Sequence, residues 1–132
     1  MRTNEISFRI RYSETDQMGV VYHGNYAQYL ELARVEWLRS LGISYKGMEE
    51  SGIMLPVINL SINYLKPALY DDLITVKVFL NKKPVVRIEF DYEITNEAGD
   101  LLATANTVLV FMDMKRNRPR KCPQILLDKL KY

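Results

Sequence analysis

The chain has one cysteine, Cys122, so it cannot close an internal disulfide. A lone thiol fits a reducing compartment, most simply the cytoplasm. Histidine is as scarce: His23 is the only one in 132 residues. An excess of either charge is missing too. Eighteen Lys and Arg against sixteen Asp and Glu leave a net charge of +2, too mild to argue for a nucleic-acid protein. No apolar run reaches membrane-spanning length, and the opening MRTNEISFRI has no apolar core of a signal peptide. Repeats, linkers and low-complexity stretches are also absent, so residues 1–132 are expected to form a single domain. Hydrophobic residues at 48% are enough for a core.

Hydrophobic periodicity supplies the architecture. Residues 4–11 read as a strand and 12–24 as a turn-rich segment. Over residues 25–42, Tyr26, Tyr29, Leu30, Ala33, Trp37 and Leu41 recur at helical spacing, with Leu32, Val35 and Leu38 as a second apolar flank. Asn25 is the expected N-cap, with Gln28 three residues on as in a capping box, and Gly42 suits the stop. A short helix is expected at 45–51. The period then changes to two, giving strands at 57–64, 73–80, 86–94 and 101–112 joined by turn-forming links, and a short helix at 123–131. One helix against an antiparallel sheet is a two-layer α+β domain. A helix apolar on more than one flank suggests a sheet curved around it. The last strand, apolar on both faces, hints at a further cover such as a second subunit.

One stretch does not fit a purely structural reading. YSETDQMGVVYHGNY, residues 12–26, is too polar for a core strand and too apolar for a surface loop. It carries Asp16 and the sole histidine, His23, ahead of the long helix. Gly19 and Gly24 allow a tight turn and a close approach to a ligand. Taken singly, an Asp in a turn is usually a turn former, and a lone His is usually structural. Their joint placement before a helix start is what points to chemistry. Elsewhere, Glu31 and Arg34 read as an i,i+3 ion pair, and Cys122, beside Pro123 in a basic tail, does not read as a nucleophile.

The run YSETDQMGVVYHGNYAQYLELARVEWL resembles the signature of hotdog-fold acyl-CoA thioesterases, in particular the 4-hydroxybenzoyl-CoA thioesterase family and its YbgC-like bacterial members. LSINYLKPALYDDLITV and FDYEITNEAGDLLATANTVLVFMD follow the same layout, so the resemblance spans nearly the whole chain. It implies a five-stranded antiparallel sheet wrapped around one long helix, and a homodimer or homotetramer whose sheets join edge to edge.

The resemblance also implies a site. Asp16 is its catalytic carboxylate, acting on water as general base or attacking the carbonyl as nucleophile. The backbone N–H of His23 polarises the thioester carbonyl, as the partnerless N–H groups of a helix start can. The His23 side chain orients water, bonds the thioester oxygen or assists Asp16. Tyr12 borders the site, while Tyr22 and Tyr26 shape a pocket or the core. Lys82 and Lys83, with Arg118 and Arg120 in KRNRPRK, are candidates to grip the CoA phosphates, although Pro84 stands where relatives often carry a small hydroxyl residue. No metal or cofactor is implied. An acyl-carrier protein is a further candidate partner. A hotdog hydratase or dehydratase, or an acyl-CoA or acyl-carrier-protein binding module, is the alternative function.

Overall fold

The computed structural model describes residues 2–132. Its main sheet has five antiparallel strands: β1 (Thr3–Arg9), β3 (Val57–Tyr64), β4 (Leu73–Phe79), β5 (Arg87–Thr95) and β6 (Leu101–Val110), in the order β1-β4-β5-β6-β3. The long helix α1 (Tyr26–Ser40) lies against this sheet. Ile74, Val76 and Val78 of β4 and Ile88, Phe90, Tyr92 and Ile94 of β5 turn inward, alternating with more exposed neighbours. They meet Tyr29, Leu30, Ala33, Trp37 and Leu38 of α1 in one core. Fully burying a side chain such as Leu30 is worth about 1.5–3 kcal/mol, so this two-layer packing is the main stabilising term. No helix among the described residues is long and apolar enough to cross a membrane.

The smaller elements are α2 (Tyr45–Glu50), α3 (Gln124–Lys129) and a second sheet of three two-residue strands, β2 (Ile53–Met54), β7 (Met112–Asp113) and β8 (Arg118–Pro119). Such short strands carry no periodicity to read. The strand expected over 101–112 therefore splits in two, and the basic stretch 115–121 proves to be part of a hairpin.

Two local expectations are corrected. Asn25 does precede α1, but its backbone is helical and its side chain makes no cap bond. A 3₁₀ turn (His23–Asn25) leads into the helix, and Asn25 Nδ2 donates instead to the Glu14 carbonyl at 2.9 Å. The Glu31–Arg34 ion pair does not form either. Arg34 is 6% exposed and turned to the core, where its guanidinium donates to Tyr92 Oη at 3.2 Å, and Tyr92 Oη shares a 2.6 Å bond with Thr107 Oγ1. The ion pair on this helix is Glu36–Arg39.

Arg34 is thus a buried cation with no carboxylate partner among the described residues, and its Nε has no hydrogen-bond partner. Desolvation costs such a group, while Tyr92 and Tyr45 favour its charged form and hold it above the ordinary value; an apolar chain of similar size removes the cost and the contacts together. Arg34→Met is expected to match or exceed the wild-type urea midpoint. Arg34→Ala, which also opens a cavity, should cost roughly 2–4 kcal/mol. Equal midpoints for both variants would contradict this reading.

The two edges of the main sheet differ. β1 carries Glu5 and Arg9 on its exposed positions, which blunt further pairing. β3 is exposed along nearly its whole length, and Val57, Ile58, Leu60 and Tyr64 each leave about half of their surface open.

Candidate active site

The segment 12–26 caps one end of the sheet. β1 delivers the chain to it through Ile10, whose N–H donates to the Asp72 carbonyl at 2.9 Å. Tyr12 opens a short 3₁₀ turn (Tyr12–Glu14), and a narrow hairpin follows. Asp16 N–H donates to the Val20 carbonyl at 2.8 Å, and Gly19 N–H to the Asp16 carbonyl at 3.0 Å. Gly19 has a φ of +79°, which favours glycine at this corner. The hairpin is tied to the β3–β4 connection by Val21 N–H donating to the Ala68 carbonyl at 2.8 Å.

Asp16 sits exposed on this hairpin. One carboxylate oxygen, Oδ1, accepts from Met18 N–H at 2.8 Å and, more weakly, from Val20 N–H at 3.4 Å. Oδ2 has no partner among the described residues, so the carboxylate is held in place with one oxygen free. Met18 beside it is 83% exposed and Tyr12 76% exposed, the latter packed edge-on to Tyr70 at 5.6 Å.

His23 stands at the helix entry, also exposed. Its ring lies 4.5 Å from that of Tyr22. The N–H groups of Tyr22, Asn25 and Tyr26 donate to the carbonyls of Glu14, Tyr22 and His23. Among the described residues, those of His23 and Gly24 are left without a partner. A Cβ on Gly24 would come within 2.5 Å of the Tyr22 ring, so glycine lets that ring lie close over the entry. A cleft of about 260 Å³ opens here, lined by Val20, His23, Tyr26, Tyr64 and Lys66 among others. Tyr64 Oη donates to the His23 carbonyl at 3.3 Å and its ring packs edge-on to Tyr26. Asp16 is not among the lining residues.

The basic residues lie elsewhere. Lys82, Lys83 and Arg87 line a groove of about 430 Å³ at the other end of the sheet. The 115–121 hairpin is brought beside it: Cys122 N–H donates to the Val85 carbonyl at 2.6 Å, and Arg120 N–H to the Phe111 carbonyl at 2.8 Å. Sequence separates these two clusters by some thirty residues, and the fold brings their backbones side by side, with none of residues 115–121 lining the groove. Lys82 is engaged with Glu89 at 3.2 Å, whereas Lys83 and Arg118 make no ion pair among the described residues. From Arg87 to Thr95, β5 spans about 26 Å at 3.3 Å per residue. Within one chain, then, the basic surface and Asp16 occupy opposite ends.

Sequence reasoning missed one residue here. Glu14 lies within the segment expected to be turn-rich, yet it is 8% exposed. Its Oε1 accepts from Arg11 N–H at 2.6 Å and its Oε2 from Tyr29 Oη at 3.0 Å. Burial pushes its carboxyl up, but the bonds from Arg11 and Tyr29 outweigh that and hold it below the ordinary value. The stability this contributes is full above the ordinary carboxylate range and is lost as pH falls through the lowered value. Burial, with the same bond, pushes the Tyr29 hydroxyl up. The signal was a carboxylate and a tyrosine 15 residues apart, a separation no local pattern reports.

Residues 10–130 match the thioesterase-like superfamily. The chain belongs to this family. It is 33% identical over 119 residues to a putative acyl-CoA thioesterase, YneP, of Bacillus subtilis, covering 90% of this chain and 86% of that one. Among solved structures, a DHNA-CoA thioesterase from Staphylococcus aureus superposes with a TM-score of 0.90 at 37% identity, over 99% of this chain and 88% of that one. A 1,4-dihydroxy-2-naphthoyl-CoA thioesterase from Synechocystis gives 0.90 at 27% identity, over 98% and 96%. The sheet wrapped on a long helix is the hotdog fold of these thioester hydrolases, as the motif implied.

Proposed function

We propose that this protein is an acyl-CoA thioesterase, hydrolysing the thioester to a free acid and CoA. The observation that carries the reading is the pair of unpartnered N–H groups, His23 and Gly24, at the helix entry reached from the hairpin that holds Asp16. A tetrahedral thioester intermediate places negative charge on the former carbonyl oxygen. Two N–H groups at the positive end of a helix are suited to receive it. Asp16 serves as general base on water or as nucleophile, and both roles use the free carboxylate oxygen. The His23 imidazole assists by orienting water, and Tyr12 borders the entry. Lys82, Lys83, Arg118 and Arg120 grip the CoA phosphates.

Because those cations sit at the far end of their own chain, the reading requires a homo-oligomer. The unblunted β3 edge is the surface suited to pair with a second copy. Antiparallel two-fold pairing sets the partner's Val57 end against this chain's Tyr64 end. The partner's basic groove then faces this chain's helix entry. Residues 1–132 act in this as one domain. Burial pushes the Cys122 thiol up to about 11, so it resists ionisation and does not serve as a nucleophile in this reading. The same basic surface would also suit an acidic acyl-carrier protein bearing the thioester.

A panel of acyl-CoAs graded in length and aromaticity, scored by free-thiol release, tests the activity and finds the acyl group. Neutralising Lys83, Arg118 and Arg120 together should raise KM and leave kcat nearly unchanged, the mark of lost uniform binding. The wild-type KM should itself rise with ionic strength. If neither changes KM, the phosphates are held by other residues.

A further inference from the structure

The structure assigns to Glu14 the role of positioning residue for the hydrolytic site: it fixes the Asp16 hairpin to the first turns of α1. The inference rests on the thioesterase reading above.

Glu14 is bonded in two directions at once. Its side chain reaches the helix, through Tyr29 Oη at 3.0 Å, and the turn it belongs to, through Arg11 N–H at 2.6 Å. Its backbone carbonyl accepts Tyr22 N–H and Asn25 Nδ2, each at 2.9 Å. Tyr22 immediately precedes the two free N–H groups, and Asp16 follows Glu14 by two residues. So the carboxylate proposed to act on the thioester and the N–H groups proposed to hold its oxygen are both referenced to one buried residue. The side chain thus ties the 3₁₀ turn that leads to Asp16 to the body of α1, and the backbone carbonyl ties the same turn to the helix entry. Arg11 and Tyr29 are the charged and titratable groups bonded to Glu14, and Arg9 and Glu31 line the same groove of about 740 Å³.

The reason such a tether is needed lies in the exposure of the hairpin. Asp16, Gln17, Met18 and Gly19 are all open to solvent and contribute nothing to the core. The Val21–Ala68 bond holds the return arm of the hairpin, and Glu14 holds the arm that leads to Asp16; a displacement of about 1 Å between reacting groups can cost on the order of 10²-fold in rate. Glu14 touches no reacting atom. It acts through Asp16 and the helix entry.

The test uses the full chain and four variants: Glu14→Ala, Glu14→Gln, Asp16→Asn and the double variant Glu14→Ala with Asp16→Asn. Glu14→Ala should lower kcat roughly 10- to 100-fold with KM little changed, assayed well below its melting temperature. Glu14→Gln, whose amide can accept from Arg11 N–H and donate to Tyr29 Oη, should recover most of the loss. In the Asp16→Asn background, Glu14→Ala should cost little more, because the group being positioned is already disabled. Independently of activity, hydrogen exchange in Glu14→Ala should speed up more at the N–H groups of Asp16 and Tyr22 than in β4 and β5, where it follows only the loss of global stability. A folded Glu14→Ala variant with wild-type kcat, or an equal further loss in the Asp16→Asn background, overturns the assignment. So does exchange at residues 16 and 22 that speeds up no more than in β4 and β5. If the wild type releases no thiol from any acyl-CoA, the thioesterase reading fails, and the assignment to a hydrolytic site falls with it even where the exchange result holds.

Discussion

Replacing Asp16 by asparagine is expected to lower kcat for acyl-CoA hydrolysis by at least about 10²-fold, since a positioned general base contributes roughly 10²–10⁴ and a nucleophile more. The substitution is nearly isosteric. Asparagine Oδ1 can accept from Met18 N–H as the carboxylate does at 2.8 Å, so the hairpin should keep its shape. What disappears is the negative charge and the proton-accepting oxygen that has no other partner. Melting temperature and oligomeric state should change little, because Asp16 is exposed and outside the core. His23→Ala should cost less. It removes the imidazole and keeps the backbone N–H on which charge stabilisation is proposed to depend. The ranking Asp16 above His23 therefore follows from giving the oxygen to the backbone. Near-wild-type hydrolysis by Asp16→Asn would remove the mechanism.

Much of this could be read from the chain because its informative features are local. Ile74, Val76 and Val78 alternate with Thr75 and Lys77, and the structure buries the first set. Tyr29, Ala33 and Trp37 mark one helical face, and that face is in the core. At Asn25 and Arg34, where the structure departs from the expectation, a distant partner decides. Asn25 has the chemistry of an N-cap, yet the Glu14 carbonyl takes its side chain. Arg34 has Glu31 three residues before it, yet the inward helix position turns it to Tyr92, 58 residues away. Propensity and spacing describe what a residue can do with its neighbours in sequence, and tertiary contacts override them. The site divides along the same line. Asp16, His23 and Tyr12 stand within one motif and are held at one end of the sheet. The tether at Glu14 and the side-by-side placement of the two basic clusters arise from tertiary folding, and periodicity has nothing to say about them.

The opposite placement of Asp16 and the basic groove leads to the second large effect. If each site takes its carboxylate from one chain and its cations from the partner, two crippled variants should rescue one another. One carries Asp16→Asn with its cations intact. The other carries Asp16 intact with Lys83, Arg118 and Arg120 changed to neutral residues. Alone, the first lacks its carboxylate at every site, and the second binds acyl-CoA weakly. In a hybrid dimer, one site joins a native Asp16 to native cations, and the other site lacks both. Random reassortment of equal amounts makes about half of the dimers hybrid, each with one intact site, so activity at limiting acyl-CoA should return to about a quarter of wild type. The subunits must be unfolded and refolded together, or co-expressed, so that they exchange. The mixture before exchange is the control, and it should show only the sum of its parts. Recovery of about a quarter after exchange requires shared sites. If exchange produces hybrids, verified by mass, and activity stays at the sum, then Asp16 and the cations serve the same chain or the cations serve nothing. A further change tests the surface. Leu60→Lys on the exposed β3 edge places a charge where two strands would meet. It should yield a folded monomer whose hydrolysis is lost in proportion to dimer lost, and whose activity returns as protein concentration drives pairing. A monomeric Leu60→Lys variant with full activity would show that one chain holds a complete site, and would remove the requirement for a partner altogether.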